Sequence, residues 1–321
     1  MRIAFTSCFS ADLFPDQPVW KEIANAQPDV LVLLGDSIYL DERSGPLAGV
    51  AHALLPHGAH APDPAAFAER AHRLYRMQLE QQQFKALLAT KNLRTYAIWD
   101  DHDFLWNNAC GADLVGGPLE QLVYPSRALF AAWSAALEGT PFPAAPPAFD
   151  ATTPPPGYRH VDLGLNLHLH LTDGRTWRAG NDSALLGNEQ LTAIEQQMEQ
   201  AGPGATHLLA SGSVVERRTR EAWVHCSAEY ERLHRMAATH NILVLSGDVH
   251  DNQLCAYRLD GGRNLFEATA SGAALRTLVY FGSLQRNYGL LDIDAENLHI
   301  QLFKSNSVPQ FRGTIDRQHW T

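Results

Sequence analysis

The stretch Asp29–Asp41, read D-V-L-V-L-L-G-D-S-I-Y-L-D, constrains this chain more than any other. Val30–Leu34 is an unbroken run of Val and Leu with no polar face. That is the pattern of a strand buried on both sides, as in a sheet covered by helices. The run stops at Gly35, and Asp36 follows at once. A carboxylate at the end of a buried strand is costly unless something positive meets it. Asp36 and Tyr39 therefore read as a pair of ligands presented to a site.

The same grammar recurs in three other places. Arg2–Phe5 leads to Cys8, Arg94–Trp99 runs into Asp101 and His102, and Ile242–Leu245 ends in Gly247, Asp248, Val249 and His250. Sites in open α/β sheets are built at the carboxyl ends of strands. Acids converging there repel one another unless cations lie between them. Carboxylates and imidazole suit hard and borderline metals, whereas a thiolate and a phenolate suit trivalent iron. Asp36 has the two oxygens needed to bridge two ions. Singly, each piece is ordinary: a turn Asp, a small buried Cys, a helix-capping D-D-H, a packed Tyr. Their order, each after an apolar run, is what points to metal.

The remaining elements suggest the architecture. Helical patterns fall at 16–26, 65–89, 124–137, 188–200 and 228–240, and further strands at 165–172, 207–210, 253–259, 265–270, 290–293 and 298–303. Strands alternate with helices early and follow one another late, which implies two sheets packed face to face with helices outside. Along 165–172, Leu165, Leu167, Leu169 and Leu171 alternate with Asn166, His168 and His170, which predicts a solvated row for the polar set. The loop at 45–64, with His52, His57 and His60, reads as mobile, and the seven prolines of 141–156 as a covering loop. Residues 280–321 carry no recognisable chemistry.

Composition limits the function. Of 321 residues, 45% are apolar, enough for a sizeable core, and the formal charge of −10 argues against a general nucleic-acid or membrane binder. The start reads as a strand rather than a signal peptide, and no 18-residue apolar run exists. Four scattered Cys suit reduced thiols. The expectation is a cytoplasmic protein; nothing bears on its oligomeric state.

These residues resemble the alkaline phosphatase D (PhoD-like) family of metallophosphoesterases. The matching blocks are Ser7–Cys8, G-D-S-I-Y at 35–39, W-D-D-H-D at 99–103, D-G-R-T-W-R at 173–178, S-G-D-V-H at 246–250 and E-A-T-A-S-G-A-A at 267–274. The resemblance implies a single domain over 1–321, with a four-layer α/β/β/α sandwich of two mixed sheets and flanking helices. It implies a phosphatase or phosphodiesterase acting on a small phosphoester through a metal-bound hydroxide. Fe³⁺ with Ca²⁺ is the expected pair, with Mn²⁺, Zn²⁺ or Mg²⁺ as alternatives. Carried over by position, Cys8, Asp36, Tyr39 and Asp248 hold the iron-type ion. Asp36 bridges to a second ion with Asp101, and Asn107 resembles an amide ligand there. His250 is a ligand or its neighbour, and His102 lies near the scissile phosphate. Arg175 either grips a phosphate oxygen or pairs with Asp173. Two other readings stay open: a non-catalytic, metal-stabilised binding module, and a hydrolase using Cys8 as nucleophile.

Overall fold

A computed structural model describes residues 1–41, 63–217, 219–278, 281–304 and 308–321. Most of the His-bearing loop expected at 45–64 lies outside the described residues. The first sheet joins the parallel strands β1 (Arg2–Thr6), β2 (Val30–Leu34) and β3 (Arg94–Ile98) to the antiparallel β12 (Tyr288–Ile293), β13 (Asn297–Phe303) and β14 (Pro309–Asp316), in the order β14-β13-β12-β1-β2-β3. The second has the order β4-β5-β6-β7-β9-β8, from β4 (Arg159–Gly164), β5 (Leu167–Leu171), β6 (Thr206–Ser211), β7 (Asn241–Ser246), β8 (Asn252–Arg258) and β9 (Asn264–Ala270). In it β5, β6, β7 and β9 run parallel. A short ribbon pairs β10 (Arg276–Leu278) with β11 (Phe281–Leu284).

The two sheets are mixed and pack face to face. Val30, Val32 and Leu34 of β2 meet Leu169, Leu208, Leu243 and Ala268 of the second sheet in a common core. The alternate residues of β2, Leu31 and Leu33, face a layer of helices: α1 (Val19–Asn25), α2 (Pro64–Glu80), α3 (Gln82–Leu88) and α5 (Val123–Leu137). On the far side, α6 (Asn188–Ala201) and α7 (Ser227–Thr239) lay Leu191, Ile194, Leu233 and Met236 on Leu209 and Val244. The result is the four-layer α/β/β/α sandwich. Every residue of β2 is fully buried, as a strand with apolar residues on both faces demands.

Local expectations needed correction. The helix at 65–89 is two helices, because Gln81 is extended and its side chain caps α3 through Phe84 N. The polar stretch after Trp99 forms a short helix, α4 (Asp101–Phe104), closed by a capping box between Asp100 and Asp103. Leu165 is not on an apolar strand face. It sits in the turn between β4 and β5, at φ 57°, and is 57% exposed. Strand β14 was not legible, because its alternate residues face solvent and give no apolar run.

The row of His168 and His170 is buried, not solvated. That face of β5 lies in the layer under α6 and α7, where β4 and β6 add further imidazoles. His160 Nε2 lies 3.0 Å from His168 Nδ1, and His170 Nε2 lies 3.0 Å from His207 Nδ1. The ring of His207 also meets His168 and His240, and Tyr158 hydrogen-bonds His170 Nδ1 at 2.7 Å. Burial, then the neighbouring imidazoles, hold His170 well below the ordinary value and lower His207 to about 3. Groups with folded values below the unfolded one stabilise the fold at neutral pH and lose that contribution as pH falls. The unfolded chain takes up protons below about 6.5 that the folded chain refuses, about 1.4 kcal/mol per pH unit for each imidazole. The melting temperature should therefore fall steeply between pH 6.5 and 4.5. His207→Asn should flatten that limb, and an unchanged slope in the variant would show that the row does not control acid stability.

Candidate metal centre

The turn after β2 places the first ligands. Gly35, at φ +93°, lies so close to Asp100 that a Cβ there would run into its side chain. Asp36 follows in the left-handed region at φ 54°, and Cys8 (φ 61°), Asp248 (φ 67°) and His250 (φ 51°) share that conformation. For residues other than glycine this costs on the order of 1 kcal/mol each. Such strain at four residues, all just past the ends of β1, β2 and β7, marks a constructed site.

The side chains converge. The Cys8 thiol lies 3.3 Å from Asp36 Oδ2, and the Tyr39 hydroxyl lies 3.5 Å from the same oxygen and 3.4 Å from His250 Nε2. Ligand atoms come within 4.8 Å of one another in three groups: Cys8, Asp36 and His250; Asp36, Asp101 and His102; and Asp36, Asp100, Asp101 and Asp248. Asp36 belongs to all three. The geometry sets His250 beside Cys8 and Tyr39, and groups the Asp248 carboxylate with Asp36, Asp100 and Asp101. Asn107 stands apart: the residue is exposed, and its backbone N–H donates to Asp41 at 2.9 Å.

Without cations this cluster is electrostatically unfavourable. Burial, followed by the charges of Cys8, Asp101 and Asp100, pushes Asp36 well above the carboxylate range. Burial likewise raises the Cys8 thiol and the Tyr39 phenol, and with Asp101 lifts Asp248 to about 6. Asp36 Oδ1 and Asp100 Oδ2 are buried with no hydrogen-bond donor among the described residues. Buried carboxylate oxygens ordinarily find a partner. The groups around Asp36 are a thiol, a phenol, an imidazole and other carboxylates, a set whose missing partner is a cation; Asp100 has Arg175 on its other oxygen. The residues present thus fit a metal centre.

The model of the PhoD-like phosphatases matches residues 3–280. The chain belongs to the PhoD-like phosphatase family. A solved structure of PhoD superposes with a TM-score of 0.70 at 17% identity, covering 99% of this chain and 70% of its own. A dimetal phosphatase from Danio rerio superposes at 0.55 with 11% identity, covering 99% of both chains. Both share the fold. A search of the curated proteins found no match. Among the described residues no helix is long and apolar enough to cross a membrane.

In this PhoD-like chain Arg175 does not face an open site. It is completely buried. Its Nε donates to Asp100 Oδ1 at 2.6 Å, and Nη1 and Nη2 donate to Glu221 at 2.7 and 2.8 Å. Asp173 accepts only its backbone N–H, at 3.1 Å, so the expected ion pair with Asp173 is replaced by pairs with Asp100 and Glu221. Arg178 joins through Glu221, at 3.2 Å. The positive charge next to Asp101 has a direct effect. Burial favours the neutral acid there, but Arg175, His102 and the N–H groups of Asn108 and His102 outweigh it and hold Asp101 at about 2.

Three residues of the centre were not singled out from the sequence. Asp100 was passed over for its neighbour, although both head the D-D-H-D run. Asp41 closes the stretch Asp29–Asp41. Its Oδ1 lies 2.5 Å from His102 Nδ1. Glu221 gave no signal, because it reaches Arg175 from a loop 46 residues away.

Proposed function

We propose that this chain is a metal-dependent phosphoester hydrolase of small phosphoesters, working at a centre of two or more ions. Family membership makes it a phosphoesterase; the metal dependence rests on one observation, a buried Asp36 carboxylate common to three ligand groups and holding an oxygen that no donor meets. Cys8, Tyr39, Asp36 and His250 would hold an iron-type ion. Asp36 would bridge to a second, Ca²⁺-type ion with Asp100, Asp101 and Asp248. Mn²⁺, Zn²⁺ or Mg²⁺ suit the same oxygens. Bound cations would neutralise phosphoryl oxygens and lower the pKa of an attacking water. We read residues 1–321 as one such unit. Cys8 would serve as a ligand in its thiolate form, and four free cysteines support the reading of a cytoplasmic protein.

The protein's own residues then do two things. His102 is oriented: Asp41 engages Nδ1, and the ring stacks on Tyr39 at 4.2 Å between centroids. Nε2 is left for the site. Burial opposes the imidazolium, but Asp101 and Asp41 overcome it and raise His102 to about 10, which supports a role as proton donor to the leaving oxygen. Arg175, with its donors spent on carboxylates, is a positioning residue that fixes Asp100 and Asp101.

The test is a series of aryl phosphates with leaving groups of increasing pKa. The wild-type protein should hydrolyse them all. His102→Asn should lose about 10²–10⁴-fold on the poorest leaving groups, the range of general acid catalysis, and far less on the best. A uniform loss across the series would remove His102 from proton transfer, and an inert, metal-replete wild type would remove the hydrolase reading itself.

A further inference from the structure

We propose that the mouth of this centre carries a recognition site for a second anionic group on the substrate, built from Arg217 and Lys304 on Asp251. The inference deepens the phosphoesterase reading and rests on it for the word substrate.

The loop from Gly212 to Glu221 is anchored at both ends on the metal centre. A Cβ on Gly212 would strike the Asp100 carboxylate, and Glu221 is the bidentate partner of Arg175. Between these anchors runs E-R-R-T-R, residues 216–220, the densest run of Arg in a chain of net charge −10. Of the loop's cations, Arg217 stands beside Asp251. Arg217 Nη2 lies 3.5 Å from Asp251 Oδ2, and Lys304 Nζ lies 2.9 Å from Asp251 Oδ1. Asp251 follows directly on His250, whose ring meets Tyr39.

Two cations therefore share one carboxylate, which leaves an excess positive charge. All three side chains are about one-third exposed: 34% for Arg217, 35% for Asp251 and 39% for Lys304. They are partly open to solvent. An isolated surface ion pair needs one cation and contributes little. The second cation makes this an anion site rather than a strut. Its distance from the reacting phosphorus is set by a short tether, a single residue from His250. The matching molecule is a phosphoester with another phosphate or a carboxylate a few bonds from the scissile group. A phosphoester whose remote end is neutral would leave the excess charge unmatched.

The experiment measures equilibrium binding of three non-hydrolysable probes to the protein as purified: propane-1,3-diphosphonate, 3-phosphonopropionate and 3-hydroxypropylphosphonate. One end of each is the same, and the other is a phosphonate, a carboxylate or a hydroxyl. At low salt at least one of the two probes with an anionic second end should bind roughly tenfold tighter than the hydroxyl probe, the scale of a charge pair screened at a half-open rim. Which of them does so identifies the second group as phosphate or carboxylate. The preference should shrink at 0.5 M salt. It should vanish in the Arg217→Gln, Lys304→Gln double variant and persist in Arg217→Lys, Lys304→Arg, which keeps both charges. Equal affinities in the wild type, or a preference that survives the double Gln variant, would overturn the proposal. Turnover of an aryl phosphate, run alongside, reports on the hydrolase reading alone. An inert protein that still prefers a probe with an anionic second end would leave the rim standing and remove the enzyme.

Discussion

Replacing Asp36 by Asn should produce a protein with less metal, no turnover and a higher melting temperature when stripped of metal. The first two effects follow from its place in all three ligand groups. The amide keeps the shape but removes the charge a bridging ligand supplies, so loss of activity by more than about 10³-fold is expected if both ions act on phosphorus. The third effect follows from the same burial. Asp36 is a carboxylate pushed far up by desolvation and by its anionic neighbours, and Asn relieves that repulsion. About 1 kcal/mol of relief raises the melting temperature by roughly 2 °C in a chain of this size. Elemental analysis and thermal melts of the stripped proteins check both sides. A stripped variant that melts below stripped wild type would mean that Asp36 is not a source of strain, and full metal content would end its bridging role.

The second large effect concerns Arg175. A residue that grips a substrate phosphate should be replaceable at little cost to folding. A fully buried guanidinium paired with Asp100 and Glu221 should not be. Arg175→Met should destabilise the fold by about 3–5 kcal/mol, because it strands buried carboxylates. The double variant Arg175→Met, Glu221→Met should recover part of that loss, since no charge is then left facing Glu221. Denaturant titration of the two single variants and the double gives the coupling directly. Additive losses would mean that the pair does not act as a unit, and a stable Arg175→Met with a raised KM would restore the phosphate-gripping role.

Much of the fold was written into apolar runs. Val30–Leu34 and Ile242–Leu245 have no polar face, and both became central strands of opposing sheets. What the sequence concealed was chiefly pairing. β4 and β14 lie at sheet edges, where one side meets water, so their side chains follow no apolar pattern. The row of His168 and His170 looked solvated because period-two alternation normally separates inside from outside; here helices cover the second face as well. In the site, residues that closely follow buried strands were visible as candidate ligands, and Asp36, Asp101 and Asp248 do come together. Partners arriving from loops were not: Glu221 and Asp41 matter through contacts spanning 46 and 61 residues, and no local spacing encodes those.

The order of strands in the first sheet governs when this centre can exist during synthesis. β1, which delivers Cys8, lies between β2 and β12, and Thr6 and Ser7 are held by Asn287, Gly272 and Ala273. A nascent chain that has emerged only as far as His250 already contains every proposed ligand. It still lacks the neighbour that fixes its own first strand. The proposed site should therefore close only once β12 is in place beside β1, and a product that stalls short of residue 293 should bind metal poorly.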